Sequence, residues 1–253
     1  MVSKNQLKYY SSLLNKKNRL EEKRFLVESF KLLNETINSG FKCEIVFVLQ
    51  SAVDENNDIA KLCGKRKINL EIIKAIEFGK LCDTKNPQGI VGVFHFKEYS
   101  MDVPAEEKLI VALENISDPG NMGTIIRNCD WFGVKNILLS SNCAEIYNPK
   151  VIRASAGSVF HLNLIEKNNF NLSLKELRRN GYEIVCADLE GENINGYIPK
   201  TKTILVMANE ANGPSSELLK ITDRKITIPK KGRAESLNVA SASAVILSEL
   251  TKE

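Results

Sequence analysis

The segment Leu109–Arg127, LIVALENISDPGNMGTIIR, joins an apolar run to a turn and a helix-compatible stretch. The run Leu109–Leu113 predicts a buried strand, because it is short, apolar and followed by turn residues. Asp118–Gly120 is a turn signal, since proline and glycine favour the backbone angles of tight turns. In the stretch that follows, Asn121 is a candidate helix N-cap, and Arg127 lies nearly two turns further on, on much the same side. The segment therefore predicts a strand, a tight turn and a helix.

Two later segments share this arrangement of a hydrophobic strand followed by a turn and a polar stretch. They are Leu205–Gly213 (LVMANEANG) and Ile228–Ala242 (IPKKGRAESLNVASA). In the second of them, Ser236 is a candidate N-cap for the final helix, and Asn238 falls in the first turn, where it can face a pocket. Open α/β sheets bind ligands at the carboxyl ends of their strands, so the three turns can converge on one pocket.

Strands and helices alternate through residues 108–253, which predicts a mainly parallel sheet with helices on both faces. The predicted strands cover 109–113, 136–139, 162–165, 183–187, 203–207 and 225–228. The predicted helices cover about 122–132, 149–158, 173–180, 215–220 and 237–250.

Residues 1–98 predict a smaller α/β domain, and residues 67–73 within it fit either a helix or a strand. Its predicted elements are a helix over 3–17, a strand over 24–28, a helix that ends at Gly40, a strand over 43–49, a short helix over 59–63 and a strand over 90–96. Residues 99–107 are polar, contain a proline and lack periodicity, which indicates a linker between this domain and a second domain over 108–253.

The composition is that of a globular chain of one large or two small domains. It has 253 residues, of which 43% are hydrophobic and 26% charged. No apolar run approaches the roughly 20 residues of a membrane span. The first residues lack a long apolar core, which argues against a secretory signal; they are basic and contain serine, so a transit peptide stays open.

The six cysteines are scattered, without a CxxC pair, and the chain has only two histidines. This pattern argues against a zinc site and predicts buried free thiols in the reducing cytoplasm. The charge is uneven, because residues 1–98 hold 17 Lys and Arg against 12 Asp and Glu. A basic N-terminal part suits an anionic partner such as RNA, and it fits a solvated lysine-rich surface equally well.

Two charged residues in the first two segments are candidates for chemistry. Arg127 could grip a phosphate with two hydrogen bonds, or it could be a surface arginine paired with a carboxylate. Glu210 follows a buried strand, where an unpaired carboxylate is costly. We therefore expect Glu210 to pair with a partner such as Arg127 or to organise the site; the alternative is a solvated loop glutamate.

The three segments resemble, in order and spacing, the three motifs of the SpoU/TrmH family of RNA ribose 2'-O-methyltransferases. The D-P-G turn with N-x-G-x-x-x-R resembles the first motif, and the string E-S-L-N-V-A resembles the third. In the second motif, relatives usually carry glycine where this chain has Ala208. A methyl group there, and the loss of positive φ values, put the cofactor affinity in question.

The resemblance implies a deep trefoil knot in the parallel-sheet domain, S-adenosylmethionine as the cofactor, no metal and a homodimer formed through the knotted domain. It implies RNA as the substrate, with ribosomal RNA favoured over transfer RNA. The catalytic residues implied are Arg127, Asn121, Glu210, Ser236 and Asn238. The cofactor-binding residues implied are Met207, Ala208, Glu210, Gly213, Ile228, Ser236 and Leu237.

The resemblance extends over most of the chain. Residues 148–158 resemble the family's N-P-K-x-x-R-x-S-x-G element, whose Asn148, Lys150 and Arg153 could touch RNA or a dimer partner, or could simply form a capped helix with a basic face. Residues 25–28 (FLVE) and 87–90 (PQGI) resemble strings of the family's substrate-binding domain, which is similar to the ribosomal L30e-type fold.

Arginine stays protonated at neutral pH, so Arg127 is better suited to bind the phosphate next to the reacting ribose than to act as a resting base. One alternative function is a non-catalytic RNA-binding or ribosome-assembly protein that keeps the fold. A nucleotide-binding Rossmann enzyme is disfavoured, because no G-x-G-x-x-G follows the strands that begin at Leu109 and Thr203.

Overall fold

The computed structural model describes residues 2–55, 58–97, 103, 106–209 and 212–252. The chain forms two compact units. One consists of Met1–Glu98 together with Tyr147–Arg153, and the other of Tyr99–Ile146 together with Ala154–Glu253. The predicted linker over 99–107 falls largely outside the described residues. In the described part of the chain, every helix is too short or too polar to cross a membrane.

The first unit is a four-stranded mixed sheet with the order β1-β4-β2-β3. The strand pair β2 and β3 is parallel, and β4 is antiparallel to both β1 and β2. Its helices are α1 (Lys4–Ser12), α2 (Lys16–Glu22), α3 (Phe30–Asn38), α4 (Gln50–Glu55), α5 (Asp58–Arg66) and α6 (Ala75–Phe78). Its strands are β1 (Arg24–Glu28), β2 (Cys43–Val48), β3 (Asn69–Ile72) and β4 (Ile90–His95).

The single helix predicted over residues 3–17 is wrong, because the chain turns between α1 and α2. Asn15 caps α2 by accepting a hydrogen bond from the Lys17 backbone N–H. Arg19 is buried and donates to the carbonyl oxygens of Leu13 and Leu14 at distances of 2.9 and 2.8 Å. These carbonyls follow the last turn of α1, where helices leave acceptors unpaired. The turn is therefore fixed by side chains that satisfy both helix ends.

The short segment Tyr147–Arg153 belongs to the first unit although it lies far along the chain. Tyr147 is buried, and its ring stacks on Phe25 with 4.3 Å between centroids. Arg153 binds Asp83 at 2.6 Å and lies 3.9 Å from a Glu28 carboxylate oxygen. Arg153 thus already holds carboxylate partners, which fits a structural role better than an open basic face.

The second unit is a six-stranded sheet with the order β10-β8-β9-β5-β6-β7, and every pair in it is parallel. This confirms the predicted parallel α/β architecture. Its strands are β5 (Leu109–Glu114), β6 (Asn136–Ser140), β7 (Asn163–Lys167), β8 (Glu183–Asn193), β9 (Thr203–Ala208) and β10 (Arg224–Thr227). The remaining helices are α7 (Pro119–Trp131), α8 (Pro149–Ala154), α9 (Phe170–Arg179), α10 (Ser216–Leu219) and α11 (Val239–Leu250).

The helix predicted over 149–158 is shorter than expected. Helix α8 ends at Ala154, and a separate 3₁₀ turn covers Ser158–Phe160. Between them, Ala156 and Gly157 have φ values of 52° and 102°. Residues with left-handed φ values do not continue a right-handed helix, so Ala156 and Gly157 divide the predicted helix into two parts.

Helices cover both faces of the six-stranded sheet. Alternate strand residues point to opposite faces, and one set forms a buried cluster with α9 and α10. That cluster includes Ile110, Ala112, Ile184, Cys186, Ile204, Val206, Phe170, Leu174 and Leu218. On the other face lie buried residues such as Val111 and Leu205, and there α11 packs against β9 and against α7.

All six cysteines are free thiols. Cys63, Cys129 and Cys186 are buried as predicted, whereas Cys43, Cys82 and Cys143 are only half-buried. Burial raises the pKa of the Cys186 thiol to about 12, so this thiol stays protonated and inert at neutral pH.

Strand β8 extends six residues beyond the predicted end at Ala187, and its pairing with β10 contains a register shift. Lys225 is paired with Cys186, but the next residue of β10, Ile226, is paired with Glu192. The intervening residues of β8 therefore bulge out of the ladder. Gly191 makes the close approach possible, since a Cβ at this position would lie 2.5 Å from the Ile226 carbonyl carbon.

We expect Gly191→Ala to lower the free energy of unfolding by about 1–3 kcal/mol, because β8 and β10 must separate to admit the methyl group. Gly196→Ala is the matched control, since Gly196 has no left-handed φ and no described atom within 4 Å of its added Cβ. Thermal unfolding of both variants measures the difference. Equal melting temperatures for the two variants would show that the close approach is not required.

Candidate functional site

A cavity of about 520 Å³ opens at the carboxyl ends of β8, β9 and β10, beside the start of α11. The sheet order explains its position. Strands β10, β8 and β9 are parallel neighbours, so residues from all three can meet at one edge of the sheet. Open α/β sheets bind ligands at the carboxyl ends of their strands. Apolar side chains form much of the wall: Met207, Ile226, Ile228, Leu237, Val239 and Ile246.

Charged residues of both signs line the cavity. Asp188 and Glu190 lie in the bulge of β8, and Lys230, Lys231 and Glu235 lie in the loop after β10. Burial alone would raise the pKa of Asp188, but the Glu190 backbone N–H and the Lys225 ammonium at 2.9 Å outweigh it. The pKa of Asp188 is therefore lowered, and this carboxylate is charged at neutral pH.

The second and third sequence segments meet in this cavity. Its lining contains six of the seven residues predicted to bind a cofactor: Met207, Ala208, Gly213, Ile228, Ser236 and Leu237. The seventh, Glu210, lies outside the described residues. Strands β9 and β10, far apart in sequence, end at the same edge of the sheet and so deliver these residues together.

The first and third segments meet where α7 and α11 pack together. The side-chain amide of Asn238 donates to Oδ1 of Asn121 at 3.0 Å. Nearly two turns further along α7, the amide of Asn128 donates to the Ala240 carbonyl at 2.9 Å and to Ser243 Oγ at 2.8 Å. Three hydrogen bonds therefore join the two helices and place the predicted residues Asn121 and Asn238 in contact.

Residues 108–248 match the SpoU rRNA methylase family. The chain belongs to this family. Residues 4–92 match the MRM3-like substrate binding domain. These matches confirm the family predicted from the three motifs, and they cover both units of the structure.

Relatives of known name or structure align over almost the whole chain. A Bacillus subtilis protein named 23S rRNA (guanosine(2553)-2'-O)-methyltransferase RlmP is 29% identical over 251 residues, which are 98% of this chain and 97% of that protein. The structure of an AdoMet-bound rRNA methyltransferase from Sinorhizobium meliloti has a TM-score of 0.85 and 28% identity, over 98% of this chain and 95% of that one. The AdoMet complex of AviRb from Streptomyces viridochromogenes shares the fold, with a TM-score of 0.87 at 24% identity over 98% and 97% of the two chains.

Two helix caps of the SpoU-family unit differ from the sequence prediction. Asp118, not Asn121, caps α7, because its carboxylate accepts the Asn121 backbone N–H at 2.8 Å and Pro119 then opens the helix. Asn238, not Ser236, caps α11 by accepting from the Ala240 and Ser241 backbone N–H groups. The observed caps lie three residues before Asn121 and two residues after Ser236. The Asn121 side chain, which does not cap α7, accepts a hydrogen bond from Asn238 instead.

Arg127 lies exposed on α7, and no described residue forms an ion pair or hydrogen bond with it. Its predicted pairing with Glu210 falls outside the described residues. The cavity wall described above includes Ser236 but not Arg127, Asn121 or Asn238. Within the described residues, no carboxylate competes with an external anion for Arg127.

Ala208 has a negative φ, unlike the left-handed residues of the chain. The backbone at this position therefore accepts alanine without strain, and the difference from family members with glycine is confined to one methyl group on the cavity wall. Gly213 has a φ of 62°, a value that glycine adopts at low cost.

Sequence reasoning missed two parts of the site. The first is the bulge Ala187–Glu190, which the rule for strand ends would have indicated had it been applied to β8. The second is Glu114, the last residue of β5, which is only 5% exposed. Its carboxylate accepts hydrogen bonds from the Ser215 backbone N–H at 2.9 Å and from Ser215 Oγ at 2.6 Å. Glu114 thereby anchors the far end of the loop that follows β9.

We expect Glu114→Ala to lower the free energy of unfolding by about 1–3 kcal/mol, because it leaves the donors of Ser215 without their partner. Hydrogen exchange at the Ser215 amide should also become faster. Chemical denaturation and amide exchange measure the two effects. Glu166→Ala, at an exposed position of β7, is the control and should change stability by less than about 0.5 kcal/mol. An unchanged rate of hydrogen exchange at the Ser215 amide in the Glu114 variant would contradict the anchoring role.

Proposed function

We propose that this chain transfers a methyl group from S-adenosylmethionine to a ribose 2'-hydroxyl of ribosomal RNA. The observation that carries the proposal is that residues from two separate motifs line one cavity, in a chain that belongs to the SpoU rRNA methylase family. The names of the aligned relatives support both the cofactor and the class of RNA. Ribosomal RNA is therefore favoured over transfer RNA.

The cavity fits the cofactor in size and chemistry. Its volume of about 520 Å³ lies in the usual range for ligand pockets of this kind. Apolar residues such as Met207, Ile228 and Leu237 suit an adenine ring, and the Asp188 carboxylate suits the net positive charge of S-adenosylmethionine. When bound, the cofactor supplies a methyl group on a sulfonium sulfur, which a nucleophile can displace.

The residues of the chain then act by alignment and charge. Arg127 would bind the phosphate next to the reacting ribose, and its positive charge would favour loss of the hydroxyl proton. The contact between Asn121 and Asn238 would hold α7, which carries Arg127, against α11, whose preceding loop lines the cavity. Ser236 in the cavity wall and Glu210 complete the proposed catalytic group. Orientation of this kind can supply much of the rate of a displacement reaction.

A trefoil knot, a homodimer through the knotted domain and a cytoplasmic location are part of the same proposal. Family membership supports the knot and the dimer. Two exposed apolar side chains add to the case for the dimer, Trp131 on α7 at 83% exposure and Val245 on α11 at 41%. Six free thiols suit a reducing compartment. The domain boundaries 1–98 and 108–253 also stand as a proposal, with the first domain binding the RNA substrate.

The alternative of a non-catalytic RNA-binding protein would gain weight if Ala208 blocked the cofactor. The ordinary φ of Ala208 removes backbone strain as one reason for such a block.

Methyl transfer from labelled S-adenosylmethionine to unmodified ribosomal RNA tests the function. Alkali cleaves RNA through the free 2'-hydroxyl, so a ribose-methylated position survives as an uncut dinucleotide. We expect the label in alkali-resistant dinucleotides. Label in mononucleotides would mean base methylation and would refute the proposed reaction. Absence of label, with no binding of the cofactor, would favour the non-catalytic alternative.

We expect Arg127→Ala to reduce methyl transfer by about 100-fold or more, as loss of a charged group at a reacting centre often does, while the Kd for S-adenosylmethionine stays within about twofold. Arg127→Lys is the matched control, because lysine keeps the positive charge but cannot form the bidentate hydrogen bonds of arginine to a phosphate. This variant should show intermediate activity. Single-turnover kinetics and calorimetry measure the two quantities. Normal turnover in the alanine variant would remove Arg127 from the mechanism.

A further inference from the structure

The loop between β10 and α11 carries three cations within four residues, Lys230, Lys231 and Arg233. We call these three side chains the basic rim. All three are exposed, and within the described residues none of them holds an ion pair or a hydrogen bond. Lys230 and Lys231 lie at the cavity itself. The arrangement puts concentrated positive charge at the entrance of the proposed cofactor site.

The sign of this charge is wrong for the proposed cofactor. S-adenosylmethionine carries a sulfonium, an ammonium and one carboxylate, so its net charge is positive. The carboxylates of Asp188, Glu190 and Glu235, which also line the cavity, have the sign that attracts it. The basic rim repels this net charge and suits a different, anionic ligand better.

Lack of a partner does not by itself distinguish the basic rim. Lys175 and Arg179 on α9 and Lys220 after α10 are also exposed and unpaired within the described part of the chain. These three are spread over two helices and do not line the cavity. The distinguishing features of the basic rim are its density and its place at the site.

The loop of the basic rim is also connected to the proposed catalytic residues. It continues through Ser236 in the cavity wall to Asn238, whose side chain binds Asn121 on α7, the helix of Arg127. Cations on this loop and Arg127 therefore belong to one hydrogen-bonded assembly of α7 and α11.

We infer that Lys230, Lys231 and Arg233 bind phosphates of the RNA strand that carries the target ribose, next to the phosphate held by Arg127. This inference rests on the proposed function and assigns the RNA contact to a loop that also lines the cofactor cavity. The bound phosphates neutralise the rim, which removes its repulsion of the cofactor. Bound RNA should accordingly raise the affinity for S-adenosylmethionine, and bound S-adenosylmethionine should raise the affinity for RNA. The product S-adenosylhomocysteine, whose sulfur is uncharged, should show a smaller effect.

The test compares the variant K230Q/K231Q/R233Q with the control variant K175Q/R179Q/K220Q, which removes the same charge from α9 and α10. The probe is a ribosomal RNA fragment that the unaltered chain methylates, and its affinity is measured at several salt concentrations. Each phosphate contact to a single strand contributes about 0.7 to the slope of log K against log salt. We expect the rim variant to lose about 2 from this slope and the control to keep it.

The affinity for S-adenosylmethionine without RNA gives a second readout. We expect the rim variant to bind it as tightly as the unaltered chain or more tightly, because a repulsive charge has been removed. A several-fold loss would show that the rim side chains build the cofactor site and would overturn the inference. An unchanged salt slope in the rim variant, or an equal loss in the control, would overturn it as well.

These outcomes are separate from a failure of the proposed function. If the unaltered chain does not methylate the RNA, the proposed function is wrong. If it does, and the rim variant binds RNA with an unchanged slope, the proposed function stands and the assignment of the basic rim is wrong.

Discussion

The insertion of β9 between β5 and β8 is the constraint on which the rest of the second unit depends. Parallel pairing sets Leu113 opposite Met207 and Glu114 opposite Ala208, so the two strands end at the same level. The chain then leaves them in opposite directions, from β5 towards β6 and from β9 towards β10, and the cavity lies on the side of β9 that faces β8 and β10. Buried apolar residues on both faces of β5 and β9 fix this register, because a shift by one residue would turn their side chains to the wrong faces.

Polar contacts then fix the loops that leave these strand ends. Glu114 holds Ser215, and the Asn209 side-chain amide donates to the Asn115 carbonyl at 3.1 Å. The loop after β5 and the loop after β9 are thereby connected directly. On the same side of the sheet as α11, the contact of Asn238 with Asn121 connects the third segment to the first. The three motifs are thus held by a small number of hydrogen bonds, half-buried between the first two motifs and exposed at the contact of Asn238 with Asn121.

The division of charge around the cavity follows from the same geometry. The bulge of β8 supplies the carboxylates, since the register shift against β10 leaves Ala187–Glu190 outside the ladder. The loop after β10 supplies the lysines. A site for a cationic cofactor and an anionic substrate needs both signs near each other. The lowered pKa of Asp188 keeps this carboxylate charged at neutral pH.

The strands and most of the helices could be predicted from apolar runs and turn residues, because those signals are local. The sheet order could not, since the pairing of β9 with both β5 and β8 depends on contacts about 90 and 20 residues apart in sequence. Family resemblance identified the residues of the cavity wall at the ends of β9 and β10. It did not identify Glu114 or the bulge of β8. Glu114 acts through a hydrogen bond to a residue about 100 positions away, and the rule for strand ends was not applied to β8.

The observed N-caps of α7 and α11 differ from the predicted ones for a similar reason. Asp118, Asn121, Ser236 and Asn238 are all acceptable caps by residue type. Which of them accepts the first backbone N–H groups is decided by the path of the preceding loop, and both loops are shaped by tertiary contacts. The segment Tyr147–Arg153 illustrates the same limit, because its packing in the first unit rests on stacking between Tyr147 and the distant Phe25.

The most direct test of the account is amide hydrogen exchange of the full chain with and without S-adenosylmethionine. The account predicts slower exchange in three separated segments, 187–190, 207–209 and 226–237, and little change in the strands of the first unit. Protection confined to the first unit, or absent from all three segments at saturating cofactor, would contradict the claim that the ends of β8, β9 and β10 form the cofactor site.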